Sequence, residues 1–428
     1  MSSPGRLGTE LSSITLLAAY LMSACSEGDA ASERRSSIDI GPTVTASGEC
    51  TESVDPAGAE LWLEPFARDD PLEVSGVASD SRGNALVTRA SGELIKIDPA
   101  GRLLWSKPFG AVVATDAADS IYVAGTLDAP LELSAVRLSP LGDTDVYVVK
   151  LDASGAVQYG VRLGAEGNES VTGIAVDAAG NAVVSGSGLG TVKLGAGGET
   201  LWQSNVHGHV AVDSLGNVIV AGAFSRTLSF GTLSLASAGG QDVLIAKLDA
   251  DGHPVFGLRF GDAGIEQRAQ AVAVDGDDNV LVSGVFDGSL DFGGGVLSAP
   301  EAGCADALAC RWGGFVVKLD ASGAHVWSSA RFPVSTLVGI TASSRNDVFV
   351  SGALPGDAAG QELPVLLAFN AHGSELYAVR GWPGARAGAG HRVAVDPCDS
   401  VLWTLNVSAS EVESDGSFLA KLAPRAED

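Results

Sequence analysis

The chain has 428 residues, of which 46% are hydrophobic and 18% charged, with Gly abundant at 55 and Met scarce at 2. That profile suits many short strands joined by tight turns better than long helices, and the length allows two or three average domains or one large all-β domain. A net charge of −26 repels phosphate backbones and excludes nucleic acid as a partner.

In chain order, the first segment reads as an export signal. Arg6 precedes an apolar run from Leu11 to Met22, too short to span a bilayer comfortably. The run ends in Met22-Ser23-Ala24-Cys25, which resembles the lipobox of bacterial lipoproteins. That resemblance implies a signal peptide at 1–24, cleavage before Cys25, and a lipid on the Cys25 thiol. It also implies residence at the outer membrane, on the periplasmic or the cell-surface side. The alternative is an ordinary signal peptide with an incidental cysteine. Residues 25–55 are polar and lack apolar periodicity, which predicts a flexible tether. Membrane contact is then through the lipid anchor alone.

Beyond the tether one phrase keeps returning, and such repeats govern the fold. It is clearest from Ile174 to Gly186, Ile-Ala-Val-Asp-Ala-Ala-Gly-Asn-Ala-Val-Val-Ser-Gly. It recurs around Asp80, Asp116, Asp213, Asp275 and Asp396, and a variant from Ile340 to Gly352 has Ser343 in the Asp position. A second phrase accompanies each copy, as in Asp242-Val243-Leu244-Ile245-Ala246-Lys247-Leu248-Asp249. After most of these comes an aromatic strand such as His325 to Phe332. Each unit therefore predicts four strands.

The chemistry of each position is local. An Asp ahead of a Gly-Asn turn accepts backbone N–H groups, and Gly or Asn takes positive φ. A structural turn role is therefore assigned to Asp80, Asp116, Asp177, Asp213, Asp275 and Asp396. Runs such as Ala182 to Ser185 are apolar without alternation, as strands covered on both faces require. One unit cannot bury its own faces, so the units must stack, and radial stacking makes a propeller.

These phrases resemble the seven-bladed β-propeller repeat family of bacterial envelope and secreted proteins. The resemblance covers Pro56 to Leu422. It implies an all-β fold, a single seven-bladed propeller of four-stranded antiparallel blades at residues 56–424. The last unit contains only three strands, while Pro56 to Trp62 reads like Ala321 to Trp327, the turn and fourth strand of blade five. The N-terminal strand is accordingly predicted to complete the last blade.

Asp275-Gly276-Asp277-Asp278-Asn279 is rich in carboxylates but lacks the ligand spacing and closing Glu of an EF-hand. Six of the seven lysines (Lys96, Lys150, Lys193, Lys247, Lys318, Lys421) share one third-strand position. This spacing predicts a blade-edge role, snorkelling or pairing with a carboxylate. His207 and His209 lie two apart, on one face if both belong to a strand. Gly186 to Gly198 lacks the helix of a phosphate cradle and reads as a tight blade connection. Neither a metal nor a cofactor is predicted.

Blades two, four and five carry insertions at Leu131–Gly142, Leu228–Gly240 and Leu290–Gly314. Each is predicted to form a small hairpin on the face that also receives the links between blades, including the Gly/Arg-rich segment Gly384–Arg392. Five cysteines leave four once Cys25 carries lipid. Ring closure puts Cys50 near the first turn of the last blade, which holds Cys398. The reading pairs Cys50 with Cys398 and Cys304 with Cys310, the alternative being four free thiols.

Two functional readings follow. In the first the chain is a monomeric, non-catalytic module that binds a protein or glycan through the insertion face. In the second it is an envelope carbohydrate-active or quinoprotein-like enzyme with residues converging over the central channel. A cluster of His, Asp and Arg over that channel would favour the second.

Overall fold

The computed structural model describes residues 60–67, 74–134, 136–264, 266–299, 312–331, 333–356, 361–381, 385–409 and 416–423. The signal peptide at 1–24, the tether at 25–55, and Cys25, Cys50, Cys304 and Cys310 lie outside them.

These residues form seven four-stranded antiparallel sheets and no helix. Blade one is Val74–Ser79, Ala85–Arg89, Glu93–Ile97 and Leu103–Lys107, hydrogen-bonded in that order. Blades two to six repeat the pattern at 112–163, 173–204, 209–260, 267–331 and 336–380. Blade seven takes Ala385–Val395, Val401–Ala409 and Gly416–Leu422 from the end of the chain and Glu60–Ala67 from near its start. Glu60 lies opposite Leu422 and Leu63 opposite Ala420. The ring is closed by strand exchange, which removes the bare edges of an open ring.

The apolar core lies between blades. Ile219, Val243 and Ile245 of blade four pack on Val280, Val282, Phe315 and Val317 of blade five. Leu402 and Leu419 of blade seven pack on Val87 and Ile95 of blade one. Second and third strands are buried along nearly their whole length, which is why their sequences do not alternate.

The recurring aromatic of the fourth strand has a specific seat. A Cβ on Gly252 would approach the Trp202 ring to 2.7 Å, and one on Gly373 would approach the Trp327 ring to 2.6 Å. Both glycines also have φ near +85°, at +87° and +83°. Each aromatic therefore lies under the turn of the next blade, where only glycine fits both the backbone and the space.

One segment departs from expectation. Within Gly384–Arg392 the described residues, from Ala385 on, do not form a loop, because Ala385–Val395 is the first strand of blade seven. Its Gly390 reflects crowding: a Cβ there would meet Gly352 O and Trp403 Nε1, both at 2.8 Å. A backbone pressed this closely at Gly390 admits no side chain there, which interrupts the hydrophobic signature of a strand.

Candidate functional site

The first strands of all seven blades line a central cavity of about 170 Å³. Its wall is mostly Val, Ile and Gly backbone, with Ser75, Thr172, His209 and Arg392 supplying polar groups. Among the described residues the lining contains no Asp, Glu or Cys. Arg392 spans three blades. Its Nε donates to Ser75 O of blade one at 3.1 Å, and its Nη1 donates to Val338 O of blade six at 2.5 Å. Burial holds its guanidinium below the ordinary arginine range. Burial, and then the Arg392 charge, push the His209 imidazole down to about 3, so it is neutral at pH 7.

His207 and His209 do not share a face. The strand begins at His209, which lines the cavity, while His207 is exposed in the preceding loop. Arg392 was hidden in sequence because its segment read as a loop. Its one available signal was the apolar alternation of Val393 and Val395 just downstream.

The sequence-assigned aspartates occupy the turns between first and second strands. Asp80 Oδ1 accepts the N–H groups of Arg82 and Asn84 at 3.0 and 2.9 Å, and its Oδ2 accepts Asn84 Nδ2 at 2.7 Å. Asp177, Asp213 and Asp275 receive the corresponding backbone donors. Asp116 and Asp396 do the same.

The third-strand lysines are interior rather than at a blade edge. Lys96, Lys193, Lys247, Lys318 and Lys421 pair with Asp80, Asp177, Asp213, Asp275 and Asp396 at 2.6–2.9 Å. No side chain in these pairs is more than 6% exposed. The ammonium groups also reach the next blade: Lys96 Nζ donates to Ala153 O at 3.0 Å and Lys247 Nζ to Ala321 O at 3.0 Å. In the Asp275 turn, Lys318 Nζ at 2.6 Å already supplies the cation that a calcium loop would need.

Two blades vary the unit. In blade two Tyr122 stands opposite Lys150. Its hydroxyl donates to Asp116 Oδ2 at 3.0 Å and lies 2.9 Å from Gly180 O of blade three, while Lys150 Nζ sits 4.8 Å from the ring centroid. Blade six has Ser343 in place of the Asp and Ala368 in place of the Lys, so both charges are absent together.

The opposite face carries the insertions. Hairpins form at Leu131–Leu133 with Val136–Leu138, Thr227–Phe230 with Leu233–Ala236, and Ser289–Asp291 with Val296–Ser298. Bridges from Thr144 to Asn168 and from Gln241 to Glu266 join the insertions to the inter-blade links. Asp145 accepts the Leu141 N–H and pairs with Arg162 at 3.1 Å. Asp242 repeats this in blade four with the Ala238 N–H and Arg259. Asp262, in the link to blade five, accepts both the N–H and the hydroxyl of Ser289. Phe230 and Phe292 are buried beneath their hairpins, whereas Leu141 and Val296 are 58% and 64% exposed.

Cys398 lies in the first turn of blade seven and is disulfide-bonded. Its partner lies outside the described residues.

No family model matches the chain, and no curated protein is significantly similar to it. Among solved structures it is similar to the crystal structure of BamB from Moraxella catarrhalis, at 15% identity and a TM-score of 0.39. That match covers 83% of this chain and 84% of the other. It is also similar to the Dos1 propeller, at 9% identity and a TM-score of 0.47, over 83% and 80% of the two chains.

Proposed function

We propose that this chain is a non-catalytic binding module that presents its insertion face to a protein partner at the bacterial envelope. The observation that carries the reading is the insertion face itself. Three hairpins are fixed on a rigid ring beside the inter-blade links, and Leu141 and Val296 stand exposed among them. Loops held on a stiff scaffold are where recognition is usually built. The exposed groups are aliphatic while the hairpin aromatics are buried, which suits a protein surface better than a sugar ring seeking a stacking platform.

The enzyme reading fares worse on chemistry. The described channel lining offers no carboxylate, and its imidazole, His209, is held down to about 3, whereas general acid–base work is best served by a group that titrates near the working pH.

The test is a photo-crosslinking side chain placed at Leu141, at Val296 and, as a control, at Leu215 in the turn of blade four on the opposite face. A discrete protein adduct from the first two positions and none from the third is expected. Equal labelling from all three would overturn the reading.

The anchor belongs to the same proposal. Cys25 carries the lipid, the protein is a monomer at the outer membrane, Cys50 pairs with Cys398, and Cys304 pairs with Cys310. A Cys25→Ser variant should leave the membrane fraction and lose acyl labelling, because the several chains of a lipoprotein hold far more firmly than one. Retention in the membrane would place the anchor elsewhere.

A further inference from the structure

Arg392 is charged differently from its peers. Arg89, Arg162, Arg259 and Arg331, all partly or wholly buried, each face a carboxylate, namely Glu93, Asp145, Asp242 and Glu375. Arg392 faces none among the described residues, and its two acceptors are neutral backbone carbonyls. The chain carries 52 acidic and 26 basic residues, so a guanidinium held away from every carboxylate is an exception that the composition works against. A charge drawn into a protein interior without a counter-charge is costly, and Arg392 is half-buried in a channel lined by the first strands of all seven blades.

The unspent valence is specific. A guanidinium has five N–H donors in a fixed fork; two are used on Ser75 O and Val338 O, leaving three. That fork matches the paired oxygens of a carboxylate or phosphate group. Thr172 and His209 add a hydroxyl and an imidazole to the same cavity. The imidazole is neutral, so it can donate an N–H without adding to the charge. At roughly 30 Å³ per water, the cavity of about 170 Å³ has room for a phosphate or a short carboxylate with one or two waters.

We propose that the central channel is a binding site for one small oxyanion, a carboxylate or phosphate group, seated on the Arg392 guanidinium. The anion completes the charge balance of the ring and ties blades one, six and seven together from the inside.

The test is calorimetric titration of the intact protein at pH 7 with inorganic phosphate and, separately, with acetate. Ionic strength is held constant with sodium chloride. Saturable binding at one site per chain is expected for at least one of the two, and the one that saturates identifies the oxyanion. Arg392→Gln should weaken that binding at least 100-fold. Because Arg392 also straps three blades, His209→Phe provides a second arm: it keeps the guanidinium and both straps but fills the cavity, and should weaken binding at least tenfold. Failure of both anions to saturate the parent would overturn the proposal. So would undiminished binding in a folded His209→Phe variant, which would place any anion elsewhere.

Discussion

The two faces of the ring solve different problems with the same strands. On the turn face one device recurs: an Asp caps its own turn, a Lys from the third strand neutralises it, and in four of these five pairs the ammonium also bonds carbonyls of the next blade. On the insertion face the devices are shared by two blades at most. Blades two and four use an Asp–Arg pair to pin the insertion, and blade five uses Asp262 and Ser289. In blade five Ala330 stands at the position of Arg162 and Arg259, and the adjacent Arg331 pairs with Glu375 of blade six. Repetition marks where the fold is held, and divergence marks where the surface is free to specialise. Blade six sharpens the point. Removing one member of a buried ion pair strands a charge, whereas removing both costs little, and Ser343 with Ala368 removes both.

The largest effect is expected from breaking one turn-face pair by a single change. Lys247→Met leaves Asp213 buried and unpaired, and should cost about 3–5 kcal/mol in urea unfolding. Adding Asp213→Ser, on the pattern of blade six, should recover more than half of that loss; no recovery would mean the pair is not the unit of stability. Acid should narrow the gap between parent and single variant. Burial pushes the Asp213 carboxyl up, but Asn217 and Lys247 outweigh it and hold the carboxyl below its ordinary range. The stability this contributes is present above about pH 4 and is lost as pH falls through the lower folded value. The parent therefore weakens on acidification, while protonation relieves the stranded Asp213 of the variant. A gap that widens below pH 4 would contradict this.

Blade two gives an intermediate effect. Tyr122→Phe keeps the ring under Lys150 but removes the hydroxyl shared between Asp116 and Gly180 O. It should cost about 1–3 kcal/mol, seen as a lower urea midpoint. A neutral result would show that Lys150 can swing to Asp116 unaided.

The smallest effect belongs to the insertion face. Val296→Ser, at an exposed position, should change stability by less than about 0.5 kcal/mol yet reduce partner crosslinking at Leu141. A stability loss comparable to that of Tyr122→Phe would mean the hairpins hold the fold together, and the contrast between faces would fail.

What was legible in sequence tracks the same division. The Asp–Gly–Asn turns and third-strand lysines recur in register, so the blade count, the four-strand unit and the closing strand could all be read from them. The Lys–Asp pairing was only one of two readings, because sequence places Lys247 and Asp213 on strand three and turn one without saying that both are interior. The channel was largely illegible. Residues such as His209 and Arg392 meet across blades, and Arg392 lies in a strand where crowding against Gly352 and Trp403 requires the glycine at 390. The hairpins were visible as insertions, but which of their side chains would stay exposed was not.

The exchange of strands in blade seven has a consequence for how the molecule is made. Glu60–Ala67 must wait for Gly416–Leu422, so the first of the described strands to leave the ribosome and any export machinery is among the last to find its partner. Until then blades one to six form a horseshoe with two raw flanks, the state most exposed to pairing with the wrong chain. Long-range closure of this kind is slow. The assembly line therefore has its most vulnerable moment just before completion, and a chaperone would need to cover two blade flanks at that point rather than any nascent hairpin.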